Sequence, residues 1–193
     1  MSPNPHPLAQ RRARTIAFGP CMRLQFENRT TVRHHVEKIL RIERIGDPAA
    51  VQHEIDAYAH LLPDGTNWKA TLFIELADPT ERARELPQLS RAVHELHVDV
   101  PGVRRVRVSA NDDLTDRHLA RPSAVHFLRF QFSAAERAAL RSAHTIVLGC
   151  THPAYPFSQL IGAPTLGHLV RDFDPAQYFP TELEPCATSM NPR

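Results

Sequence analysis

Glycine is scarce in this sequence, with 7 residues in 193, and the few present do not cluster. There is no glycine-rich loop to cradle phosphates, no Gly-x-Ser-x-Gly elbow, no His-Glu-x-x-His and no Cys-x-x-Cys. Nucleotide use, elbow-type hydrolysis and zincin-type chemistry therefore lose their sequence support. Cysteine is equally sparse. Cys21, Cys150 and Cys186 are odd in number and widely spaced, which suits neither a disulfide framework nor a zinc site. No window approaches the roughly 18 apolar residues that a membrane-crossing helix requires. The first residues, Met1-Ser2-Pro3-Asn4-Pro5-His6, carry no apolar segment of a secretory signal. Charge of one sign is missing as well, since 23 basic and 21 acidic side chains leave a net +2. Phosphate-backbone binding needs a concentrated basic excess, and the runs Arg11-Arg12-Ala13-Arg14 and Arg104-Arg105-Val106-Arg107 are too short to supply one. These absences describe a cytoplasmic protein with neither nucleic acid nor membrane as its partner.

The chain has 17 prolines, 12 histidines and an ordinary 42% of hydrophobic residues. Its length fits one domain of roughly 100–200 residues, long enough to bury a core without a metal or disulfide. Residues 1–14 and 174–193, rich in proline and without periodicity, read as mobile tails around a domain spanning 15–173. Short strands are expected over 14–18 and 21–27, where Met22, Leu24 and Phe26 alternate with polar neighbours. A helix capped by Thr30 or Thr31 should follow, ending at Gly46. A second should start at Asp47-Pro48 and stop near Leu61, before the turn Pro63-Asp64-Gly65. A strand from Trp68 to Leu76 leads into a helix capped by Asp78, and 95–100 with 103–109 reads as a hairpin about Pro101-Gly102. A polar loop occupies 111–122. A strand over 123–132, a helix boxed by Ser133 and Glu136, a strand over 146–150 and a helix over 166–173 complete the chain. The expected architecture is α+β: an antiparallel or mixed sheet of six to seven strands, with helices packed mainly on one side.

Several polar residues break this pattern. On the strand over 123–132, His126 shares a face with Leu128, Phe130 and Phe132. His152 follows Cys150 in phase on the strand over 146–150. Glu43 continues the apolar stripe of the first helix, with His35 at its edge, and Glu54 lies beside Val51 and Tyr58 on the second. Each has a structural reading, as a histidine bonded to a carbonyl or a carboxylate paired with Lys38, Arg41 or Arg44. Together His126, His152, Glu43 and Glu54 also make an imidazole and carboxylate set suited to iron, manganese or zinc. A buried carboxylate must be paired, protonated or bound to a cation, because burying its bare charge is costly. Tyr58, at the turn from helix to strand, joins His35, Cys150 and Tyr155 as a candidate pocket-lining residue.

Several blocks resemble an uncharacterised bacterial family known as domain of unknown function 3501. They include Leu24-Gln25-Phe26-Glu27-Asn28-Arg29, Glu54-Ile55-Asp56-Ala57-Tyr58, Leu62-Pro63-Asp64-Gly65-Thr66-Asn67, Ser123-Ala124-Val125-His126-Phe127-Leu128-Arg129-Phe130 and His152-Pro153-Ala154-Tyr155. The resemblance implies company with rubrerythrin-like di-iron proteins and iron–sulfur oxidoreductases. Three functions follow as expectations. The first is a metal-dependent redox protein or oxidoreductase component. The second is a non-catalytic accessory or small-ligand-binding module that docks on a redox partner, and the third is a haem protein with His126 or His152 as axial ligand.

Overall fold

The computed structural model describes residues 7–110 and 122–174. The expected loop over 111–122, apart from Pro122, and the C-terminal stretch with Cys186 lie outside the described residues. Eight strands form one sheet, antiparallel at every pairing, curled nearly into a barrel and joined by six helices. The strands are β1 (Thr15–Phe18), β2 (Met22–Phe26), β3 (Asn67–Ile74), β4 (Leu96–Asp99), β5 (Val106–Ala110), β6 (Val125–Gln131), β7 (Thr145–Cys150) and β8 (Ser158–Gly162), in the spatial order β1-β2-β3-β6-β5-β4-β7-β8. The helices are α1 (Pro7–Ala13), α2 (Arg29–Ile42), α3 (Pro48–Ala59), α4 (Pro79–Ala92), α5 (Ala134–Ser142) and α6 (Ala163–Leu169). Short 3-10 turns follow α4 at Val93–Glu95 and α6 at Val170–Phe173. No helix among the described residues is long and apolar enough to cross a membrane.

Period-two alternation decides what lies inside. Leu24 pairs with Leu72, Trp68 with Phe130 and Ala70 with Leu128, so the even-numbered residues of β2, β3 and β6 share the concave face. Helices α4 and α6 plug this face through Leu89, Ala92, Leu166 and Leu169. Trp68 anchors it, stacked on Phe173 at 5.6 Å and donating its indole N–H to the Leu169 carbonyl at 2.9 Å. Helices α2 and α3 lie instead over the convex face. Helices thus cover both sides of the sheet rather than mainly one. The cause is visible in β3, where residues of both parities are buried.

Local signals set most boundaries. Asp47, Asp78 and Ser133 cap their helices, and the Ser133–Glu136 box closes in both directions. Helix α2 differs from expectation at both ends. Its cap is Asn28, which accepts the Thr31 N–H at 2.9 Å while the Thr31 hydroxyl accepts the Asn28 N–H at 2.9 Å. At the other end Arg44, not Gly46, takes the left-handed turn, with φ 56. The proline-rich start is a helix over 7–13, closed by the Thr15 hydroxyl donating to the Arg11 carbonyl at 2.7 Å. The eighth strand, β8, is an edge strand whose Ser158, Gln159 and Leu160 stay exposed, so it shows no apolar alternation.

Arg14, at the junction of α1 and β1, is 1% exposed. Its Nε donates to the Phe26 carbonyl at 3.0 Å, Nη1 to the His168 carbonyl at 2.8 Å and Nη2 to the Glu27 carbonyl at 3.0 Å. Nη2 also pairs with the Asp172 carboxylate. Burial pushes the Asp172 carboxyl up to about 6, with Arg14 opposing the rise.

The Gly19-Pro20 turn between β1 and β2 meets Tyr155 from the β7–β8 link. The Tyr155 hydroxyl donates to the Phe18 carbonyl at 2.5 Å, and Gly19 has φ +63. A Cβ there would fall 2.4 Å from the hydroxyl oxygen. Gly19→Ala is therefore expected to cost about 2 kcal/mol or more in urea unfolding, from backbone strain and the lost latch together. An unchanged midpoint would contradict this account.

Arg14→Met should cost about 3–5 kcal/mol by leaving a buried lone carboxylate, and adding Asp172→Leu should recover much of the loss. Equal stability of the single and double variants would show that the pair is not coupled. The pH dependence follows from Asp172 holding its proton more tightly folded than unfolded. Its contribution is complete below the ordinary carboxylate value of about 4 and is lost as pH rises through about 6. The urea midpoint of Asp172→Asn should accordingly fall less between pH 4 and 7 than that of the wild type.

Candidate ligand cleft

The α2–α3 pair stands off the convex face and leaves a cleft of about 470 Å³. That volume lies in the usual range for small-molecule sites, about 300–1,000 Å³. The cleft forms because two unlike surfaces meet. Helix α2 lines the cleft with Val32, Ile39 and Ile42, but the strands beneath present Gln25, Thr71 and, just past β2, Glu27. Val32, Val36 and Leu61 are buried yet lie apart from the main core. Phe73, Val125 and Phe127 complete an apolar wall around this polar floor.

Glu27 is the central group. It is 9% exposed, and both carboxylate oxygens are engaged: Oε2 accepts the Thr31 hydroxyl at 2.6 Å and Oε1 the Thr71 hydroxyl at 3.0 Å. Burial raises its pKa above the ordinary carboxylate value, while Thr31, Thr71, Arg14 and Arg11 pull it down. Arg14 fixes the Glu27 backbone from the other side of the chain. The remaining charged residues among the described lining are Arg11 and Lys38, with the imidazoles of His34 and His35 beside them. His35 sits edge-on to Tyr58, with ring centroids 4.9 Å apart, and its pKa is lowered by burial and then by Arg11, Lys38 and His34.

Of the residues singled out from sequence, His35 and Tyr58 line this cleft. Glu43 and Glu54 do not line it, but both act on Tyr58. Burial raises its phenol pKa first, and the two carboxylates raise it further. Glu43 forms the exposed C-cap of α2, and Glu54 is half-buried on α3. His126 lies elsewhere, on the concave face opposite Leu72 and 2% exposed. Its Nε2 donates to the Ser123 carbonyl at 2.8 Å and lies 3.3 Å from the Ser90 hydroxyl. His152 is a turn residue whose Nδ1 accepts the Ala154 N–H at 3.2 Å. Among the described residues, no three His, Cys, Asp or Glu side chains gather as a metal-holding group. His126, His152, Glu43 and Glu54 are therefore not brought to one point.

Cys150 and Tyr155 are core residues, away from the cleft. The Cys150 thiol donates to the Ala92 carbonyl at 3.3 Å, and burial pushes its pKa up, which makes it a poor nucleophile. Tyr155 forms the latch on Phe18 described above. His97 is 5% exposed, because its partner across the strands is Gly149 and the imidazole occupies the missing side chain's space.

The sequence reading missed Glu27, Thr31, Thr71, Arg11 and Lys38. Glu27 and Thr71 sit on strand faces whose polar residues look solvated. The signal that could have found them is Phe73 with Val125 and Phe127, apolar residues on the supposedly exposed face.

The family model for a protein of unknown function, DUF3501, matches residues 5–173, and the chain belongs to that family. A crystal structure at 1.90 Å of a novel protein of unknown function from Burkholderia pseudomallei superposes with a TM-score of 0.82. The two share 36% identity over 87% of this chain and 88% of that chain. No curated protein matches the chain.

Proposed function

We propose that this protein is a small-ligand-binding module whose ligand occupies the cleft between the α2–α3 pair and the convex face of the sheet. The observation that carries the reading is the cleft itself: about 470 Å³ with apolar walls and a few fixed polar groups at its floor, the usual make-up of a ligand site. The floor groups are fixed by one another, the Thr31 and Thr71 hydroxyls both donating to Glu27. Among the described residues, no serine or cysteine lines the cleft. A metal-dependent redox reaction needs clustered donors, which the described residues do not assemble. A rubrerythrin-like or iron–sulfur partner rests on the family resemblance alone.

The neutral apolar dye N-phenyl-1-naphthylamine tests the reading. Its fluorescence should rise saturably at one dye per chain. The rise should vanish in Ile39→Trp, which fills the cleft, and persist in Leu160→Trp, on the exposed edge strand β8. A wild-type protein that leaves the dye dark, or an Ile39→Trp variant that binds it normally, would sink the proposal.

A further inference from the structure

We infer that the cleft takes an amphipathic monocarboxylate, its head held by Arg11 and Lys38 and its tail laid along Ile39, Leu61, Phe73 and Phe127. The inference rests on the cleft reading above and adds the ligand's charge and shape.

Charge complementarity carries it. Arg11 and Lys38 line the cleft and make no ion pair with any described carboxylate. Glu27, the one acidic residue among the described lining residues, has both oxygens bonded to threonine hydroxyls, and Arg11 acts on it without forming an ion pair. The nearby carboxylates Glu43 and Glu54 act on Tyr58 and neither line the cleft nor pair with the two cations. Among the described residues, the two cations therefore share the cleft with a single carboxylate that is already engaged by hydrogen bonds. After burial, Arg11, Lys38 and His34 all lower the pKa of His35, the mark of a positive field at this part of the cleft that favours an anion. The guanidinium of Arg11 matches a carboxylate in a two-point fork.

Shape supplies the second half. The cleft-lining residues of α2 run from Thr31 to Ile42, about 16 Å of helix at 1.5 Å per residue. Along this length the lining passes from Thr31 to Ile39 and Ile42. Ile42 is 68% exposed, an apolar surface that an extended tail would cover.

The test displaces N-phenyl-1-naphthylamine with octanoate, octanol and octylammonium at one low ionic strength. Octanoate should displace the dye at about tenfold lower concentration than octanol, although octanol is the more hydrophobic, and octylammonium should be weakest. In Arg11→Gln/Lys38→Gln the octanoate advantage should disappear while octanol displaces as before. Both side chains are exposed on their helices, so the variant should fold, and Lys38→Gln alone should show part of the loss. Octanol matching octanoate, octylammonium displacing best, or an advantage that survives in the double variant would overturn this inference and leave the cleft reading standing. Failure of the dye to bind would overturn both.

Discussion

Arg14 ties the beginning of the ordered chain to its end. Its guanidinium meets carbonyls from the end of β2 and from α6, together with the Asp172 carboxylate after α6. A nearly closed sheet has two edges to bring together, and this one side chain links the β1–β2 edge to the segment that follows β8. Lysine could not replace it. A point charge on a flexible stem lacks the planar fork that satisfies three carbonyls and a carboxylate at once. The same fork sets the position of Glu27, whose carbonyl it binds while the side chain crosses to the opposite face. The most buried charge in the fold thus positions the most buried acid in the cleft.

The cleft follows from a mismatch that the fold tolerates. Most of the sheet is closed by apolar contact, with Trp68, Phe130 and Phe132 packed against Leu169 and Phe173. On the convex face the helices offer an apolar stripe, but the strands offer glutamine, glutamate and threonine. These groups are bonded to one another and to neighbouring residues, and they offer the helices little apolar surface to pack on. The pair therefore stands off, held by capping at Asn28 and Asp47 and by the helix–helix contact, and a cavity remains.

Much of the fold was legible because it is written in local chemistry. Asp47-Pro48, Asp78-Pro79 and Ser133 with Glu136 each announced a helix, and alternation announced β2, β3 and β6. The errors came where a second neighbour overrode the local pattern. Helix α1 and strand β8 are short, polar or proline-rich, and their order depends on distant partners such as the Arg14 cluster and β7. The count of faces failed for the same reason. A strand carrying Thr71 and Lys69 looks wet on one side until a helix pair from elsewhere in the chain is laid over it. Of the site, His35 and Tyr58 were visible because aromatic and imidazole groups at a stripe's edge invite a partner, and here they found each other. Glu27 was invisible, since a strand-end glutamate before a helix cap looks like solvent.

His126 and Glu27 show why misfit alone is a poor guide to function. His126 stood out because it is polar on an apolar face, and the fold answers it with a nearby carbonyl and hydroxyl. A buried polar group must be satisfied for the protein to fold, so a conspicuous misfit is often already resolved within the structure. Glu27 is satisfied too, but it lies under an open cleft, with the exposed cations Arg11 and Lys38 among the residues lining it. What separates a packing solution from a site is the sum of charges around a space that solvent can enter. By that measure the concave face, where His126 sits packed, is closed. The convex face, with Arg11 and Lys38 beside a carboxyl already bonded to two threonines, is open to a ligand.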